Sequence, residues 1–131
     1  MIDCLIMGDS IAVGVSQQRP ECSVQAVVGI TSKKWNITYN GQKHEAKTAI
    51  ISLSTNDFSS IDTRRELTDL RKQVIAEKVF WVMPARFNGV FHIVQTIASE
   101  NGDKFLISAH LSPDGIHPTT KGYRLLAEQT K

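Results

Sequence analysis

Nowhere do the 131 residues hold an apolar run approaching the ~18 that a membrane helix needs. No basic stretch precedes the first apolar run, which Asp3 interrupts and Gly8 ends, so no secretory signal is expected. The cytoplasm is then the default compartment, with a virus particle or another export route as the alternative. An excess of one charge is lacking too. Lys and Arg number 15 against 13 for Asp and Glu, a net +2. The basic pairs Lys33-Lys34, Arg64-Arg65 and Arg71-Lys72 each sit beside polar or acidic neighbours. Neither nucleic acid nor a membrane is therefore an expected partner.

Cysteine is scarce. Cys4 and Cys22 make no metal-ligand spacing, and free thiols are expected. If the first two strands end level at Gly8 and Gly29, the cysteines lie roughly 10 Å out of register, beyond disulfide reach.

Nucleotide-binding signatures are missing. No lysine completes a phosphate loop after Gly8, and no G-x-G-x-x-G follows the first apolar run. Gly8-Asp9-Ser10-Ile11-Ala12 breaks the G-x-S-x-G nucleophile elbow at its fifth position.

What is present is regular. Hydrophobic residues make up 41% and charged residues 21%, an ordinary globular balance for one domain spanning residues 1–131. Short Val- and Ile-rich runs at 2–7, 23–28, 48–53, 79–83 and 104–107 read as strands covered on both faces. Helical patterns lie between them. One is expected over 64–77, with Thr63 and Glu66 at capping-box spacing and Leu67, Leu70 and Val74 as its stripe. A second is expected over 88–100 and a last one from about residue 119, while 31–40 reads as a short helix and a loop. Strand–helix alternation implies a parallel sheet with helices on both faces, and ligands of such sheets bind beyond the carboxyl ends of the strands.

Those ends hold Gly8-Asp9-Ser10, Gly29-Ile30-Thr31-Ser32, Ser54-Thr55-Asn56-Asp57, Pro84-Ala85-Arg86 and Asp114-Gly115-Ile116-His117-Pro118. They make a set for acyl transfer. Ser10 is the candidate nucleophile, His117 its base, and Asp114 the group that orients the imidazole. The Ser10 N–H, the Gly29 N–H and the Asn56 amide are candidate oxyanion donors. Gly29, having no Cβ, would let the backbone come close to substrate.

With these blocks in order along nearly the whole chain, the sequence resembles the SGNH (GDSL-type) hydrolases. The first block ends in Gly8-Asp9-Ser10, the second supplies Gly29, the third reads "STND", and the last holds Asp114 and His117 in "DGIHPTTKGY". The resemblance implies a three-layer α/β/α, flavodoxin-like fold with strand order 2-1-3-4-5. It also implies esterase chemistry without metal or cofactor, on short acyl esters, acetylated carbohydrates, thioesters or lysophospholipids. Ser54 departs from the family, which has glycine there. The residues flanking the site, among them Thr31, Ser59, Ser60 and Ser112, are small or polar and favour a short acyl group and a sugar-like alcohol.

Other readings stand beside this one. Ser10 after a strand could simply cap a helix. Asp9 and Asp57 read as structural acceptors for loop N–H groups. Arg86 and His92 read as surface residues, His44 as part of a polar loop, and Trp35 and Trp81 as core or cleft wall. An idle binding module and a structural component of a larger assembly are the non-enzymatic alternatives.

Overall fold

The computed structural model describes residues 1–86 and 89–131. Its sheet contains β1 (Cys4–Gly8), β2 (Ser23–Ala26), β3 (His44–Ser52), β4 (Val74–Val82) and β5 (Lys104–Leu106), all parallel, in the order β2-β1-β3-β4-β5. Helices α1 (Ser10–Gln18) and α5 (Thr120–Gln129) pack together on one face. On the other face α3 (Thr63–Gln73) packs against both α2 (Ser32–Thr38) and α4 (Phe91–Glu100). This is the expected three-layer α/β/α, flavodoxin-like arrangement.

Successive strand side chains point to opposite faces, and the central strands use both. Leu5, Met7, Ala49, Ile51 and Trp81 enter one core cluster; Cys4, Ile6, Ile50 and Val82 enter the other. Burying a large apolar side chain stabilises by about 1.5–3 kcal/mol, which explains why these runs read as continuous rather than alternating. Trp35 and Trp81 are both fully buried. The Trp81 indole N–H donates to Asp103 at 2.9 Å, and Arg71 grips the same carboxylate with two nitrogens at 2.7 and 2.9 Å.

Several expected boundaries shift. The helix expected to reach residue 77 stops at Gln73, because Val74 pairs with His44 and starts β4. Its cap is Asp62, which accepts the Arg65 N–H at 3.1 Å, not Thr63. His44 is buried in β3, its ring 2.6 Å from the Gln25 side-chain oxygen, so the polar-loop reading fails. The helix expected from Asn88 is seen from Phe91; Asn88 itself lies outside the described residues.

The largest correction concerns the cysteines. Strand β2 ends at Ala26, which pairs with Gly8, while Gly29 belongs to the following turn. That register sets Leu5 opposite Ser23 and brings the preceding residues together: Cys4 and Cys22 form a disulfide with a Cα separation of 4.8 Å. The offset expected from level glycines does not exist. No described helix is long and apolar enough to cross a membrane.

Candidate active site

Gly8 ends β1 in a conformation only glycine tolerates. Its φ is +142°, and a Cβ there would lie 1.6 Å from the Ser52 carbonyl oxygen. The chain thus passes tightly over the end of β3, and the Asp9 N–H donates to that same carbonyl at 2.9 Å. Asp9 is the cap of α1, its Oδ1 accepting the Ile11 N–H at 3.0 Å. With the cap position filled by Asp9, Ser10 becomes the first residue of the helix. Its hydroxyl is free of capping duty and lies 2.9 Å from His117 Nε2.

The loop after β5 folds on itself. Leu111 bridges Pro118, the Ser112 N–H donates to the His117 carbonyl at 2.8 Å, and the Thr119 N–H donates to His110. At its tip Asp114 Oδ1 accepts the Ile116 and His117 N–H groups at 2.8 and 3.0 Å. Asp114 Oδ2 then lies 2.7 Å from His117 Nδ1. The spacing of the pair has a mechanical reason: one carboxylate oxygen bends the backbone back while the other holds the ring. The hydrogen bond from the His117 side chain, then those from the Ile116 and His117 N–H groups, hold the Asp114 carboxyl well below the usual carboxylate range. Both side chains remain open to water, His117 42% and Asp114 46% exposed.

The structure therefore brings Ser10, His117 and Asp114 into one relay. The expected oxyanion donors are placed by turns. Ser10 lies in the first turn of α1, whose leading N–H groups have no intrahelical acceptor. Gly29 has φ +80° at the third position of a turn closed by the Ile30 N–H on the Val27 carbonyl at 3.3 Å, as a type II turn requires. The space where its Cβ would point is empty, so glycine serves the backbone angle there, not close packing. Asn56 sits in the turn closed by the Asp57 N–H on Ser54, and its amide donates to the Ile30 carbonyl at 3.2 Å. This bond ties Asn56 to the Gly29 turn. Asp57 reinforces the tie, accepting from the Ser32 N–H at 2.8 Å, from the Ser32 hydroxyl, and from Thr63 at 2.7 Å.

Two buried polar groups next to these residues are poorly satisfied. Asp9 Oδ2 has no hydrogen-bond partner among the described residues, and burial pushes the Asp9 carboxyl up to about 6. Ser54 is fully buried with a φ of +98°, and its hydroxyl has no partner among the described residues. It keeps the backbone shape that glycine adopts freely.

Sequence reasoning passes over one feature. A cleft of about 230 Å³ opens beside the Asp114–His117 loop, walled by Met83, Pro84, Ala85, Ile107, Leu111 and Ile116. Its lining comes from three separate segments, so no motif marks it. Arg86, at its edge, stands 5.0 Å over the Phe91 ring. His110 contributes its backbone carbonyl to the loop, and exposed His92 its ring to Phe91.

No protein-family model and no curated protein sequence matches the chain. Solved structures do. A protein assigned as an acylhydrolase from Bacteroides fragilis superposes with a TM-score of 0.67 at 19% identity, over 96% of this chain and 83% of that one. The C-terminal catalytic domain of peptidoglycan O-acetyltransferase A from Streptococcus pneumoniae, carrying a methylsulfonyl adduct, gives 0.60 at 17% identity, over 97% and 89%. At such identities the likeness establishes the fold.

Proposed function

We propose that the protein is a serine esterase acting on short-chain acyl esters, with Ser10 as nucleophile. The observation that carries this reading is the continuous relay from the Ser10 hydroxyl through His117 to Asp114, at 2.9 and 2.7 Å. With Nδ1–H donating to Asp114, His117 presents a bare Nε2 to the serine proton. Ser10 Oγ attacks the ester carbonyl as its proton passes to Nε2, and the Asp114 carboxylate stabilises the imidazolium. The oxyanion forms beside the Ser10 and Gly29 N–H groups and the Asn56 amide. His117 returns the proton to the departing alcohol, leaving an acyl-serine. A water then repeats the sequence, and the exposure of His117 leaves it room to approach.

The cleft supports a short acyl group. At about 230 Å³ it lies below the ~300–1,000 Å³ of drug-sized pockets, and its apolar wall is small. Each CH₂ buried there contributes about 0.8 kcal/mol until the wall ends. The small polar residues around the Gly29 and Asn56 turns suit a hydrated alcohol such as a sugar. Both solved structures above carry acyl-group names, in keeping with this chemistry.

A chain-length series of aryl esters beside an acetylated saccharide tests the reading. We expect kcat/KM to peak between acetyl and butyryl and to fall by octanoyl. A steady rise with chain length would overturn it in favour of a lysophospholipase or thioesterase. No turnover of any ester would favour an idle binding module or a structural component.

A further inference from the structure

The last sequence block runs on past His117 to Gly122-Tyr123, two residues that take no part in the relay. Ser10 and His117 lie 107 residues apart and stand on different supports, α1 and the loop that leads into α5. Their 2.9 Å contact therefore depends on how α1 and α5 are spaced, and these two helices pack together. Two glycines govern that packing. Gly122, buried in the first turn of α5, lies against the base of the loop: a Cβ there would stand 2.6 Å from the His110 carbonyl oxygen and 3.0 Å from Pro118 Cβ. The same carbonyl accepts the Thr119 N–H at 2.8 Å, and Thr119 caps α5 by accepting the Gly122 N–H at 3.2 Å. The loop that carries Asp114 and His117 is thus joined closely to the start of α5.

Gly14, buried in α1, meets the next residue of α5. A Cβ at Gly14 would overlap the Tyr123 ring carbons and come within 2.8 Å of its hydroxyl oxygen. Gly14 follows Ser10 by four residues, so both lie on one face of α1. The phenol sits at the joint between the two supports. Burial, then the Asp9 carboxylate at the head of α1 and the Asp114 carboxylate in the loop, push its hydroxyl up.

We propose that Tyr123 is a positioning residue, its ring the spacer that fixes the distance between Ser10 Oγ and His117 Nε2. The inference rests on the esterase reading and gives Tyr123 no contact with substrate. Proton transfer needs a separation of about 2.6–3.2 Å, and a misplacement of about 1 Å can cost about 10²-fold in rate. An aromatic ring is rigid and holds a spacing that a flexible side chain would not. With no Cβ at position 14, the ring rests on the backbone of α1 itself.

The test is a double-mutant cycle at positions 14 and 123. It is read by kcat and KM on a short-chain aryl ester and by the rate at which a fluorophosphonate labels Ser10. Gly14→Ala pushes the ring away and should lower kcat and labelling about tenfold or more, with KM within about twofold. Tyr123→Leu lacks the overlapping ring carbons, leaves a gap and should lower both as well. Gly14→Ala/Tyr123→Leu returns a methyl to that gap and should recover most of the rate, so the two losses do not add. Tyr123→Phe keeps the ring and should retain the wild-type rate. Leu126→Ala, in the core cluster that Tyr123 packs against, is the stability control: its thermal midpoint should fall while kcat holds. Every variant is assayed below its own midpoint, and where Gly14→Ala does not fold, the contrast between Tyr123→Leu and Tyr123→Phe decides. Rates that follow the midpoint alone, additive losses in the double variant, or equal losses in Tyr123→Phe and Tyr123→Leu would overturn the proposal. Wild-type labelling at Ser10 with unchanged rates in the single variants defeats this inference alone. A wild type that is neither labelled nor active defeats the esterase reading, and this inference with it.

Discussion

The Ser54 carbonyl accepts the Asp57 N–H at 3.0 Å, closing the turn that presents Asn56, and Ser54 does so from a φ of +98°. A side chain in that region costs about 1–3 kcal/mol, and the buried unpartnered hydroxyl adds to it. Ser54→Gly should therefore stabilise the protein by about 1 kcal/mol after the extra entropy of glycine, raising the thermal midpoint by about 3 °C. Ser54→Ala, which removes the hydroxyl but keeps the strain, should gain less. A lower midpoint for the glycine variant would show that the turn does not need this angle.

Asp9 sets a pH dependence of stability. Its carboxyl, raised by burial to about 6 against an ordinary 3.8, holds its proton longer in the folded state than in the unfolded one. Its contribution is thus fully present below about pH 4 and is lost as pH rises through about 6, a total of about 3 kcal/mol. Asp9→Asn keeps an oxygen for the Ile11 N–H and removes the charge. We expect its denaturation midpoint to exceed wild type at pH 8 and to vary less between pH 4 and 6. Parallel curves for the two proteins would refute the shift.

The disulfide between Cys4 and Cys22 ties the start of β1 to the start of β2, with 18 residues of sequence separation. Closing a loop of that size stabilises by about 3 kcal/mol in the chain-entropy picture. In denaturant the protein should show no titratable thiol before reduction and two after it, and the reduced form should unfold at lower denaturant. Two thiols without reduction would mean that the bond does not form.

The oxyanion assignment separates kcat from KM. Asn56→Ala should lower kcat by about 10²–10³ with little change in KM, because in the proposed reaction the amide serves a charge present only in the transition state. Asp114→Asn should cost about 10⁴ in kcat, since an amide there favours the wrong imidazole tautomer. A loss carried wholly by KM would make Asn56 a ground-state contact instead.

Much of this was legible in the chain because the relevant signals are local. Gly-Asp-Ser after an apolar run, and Asp-x-x-His before a helix, each fold by short-range bonds: the Asp9 cap and the Asp114 carboxylate on two N–H groups. Strand pairing is not local. The ends of β2 and the start of β4 depend on partners far along the chain, Gly8 with Ala26 and His44 with Val74. The cysteine register and the end of α3 are therefore not set by local sequence: Val74 continues a helical stripe and starts a strand equally well. The cleft beside the Asp114–His117 loop is hidden for the same reason, and Ser54 keeps a glycine's conformation without a glycine's signature.

The most direct measurement is reaction of the folded protein with a fluorophosphonate, followed by mass-spectrometric mapping of the adduct. It needs no knowledge of the substrate and reports only whether a serine is activated. The relay of Ser10, His117 and Asp114 predicts one adduct, on Ser10, strongly reduced in His117→Ala and absent from Ser10→Ala. No adduct on the folded wild-type protein, or an adduct at another serine with Ser10 untouched, would contradict the account.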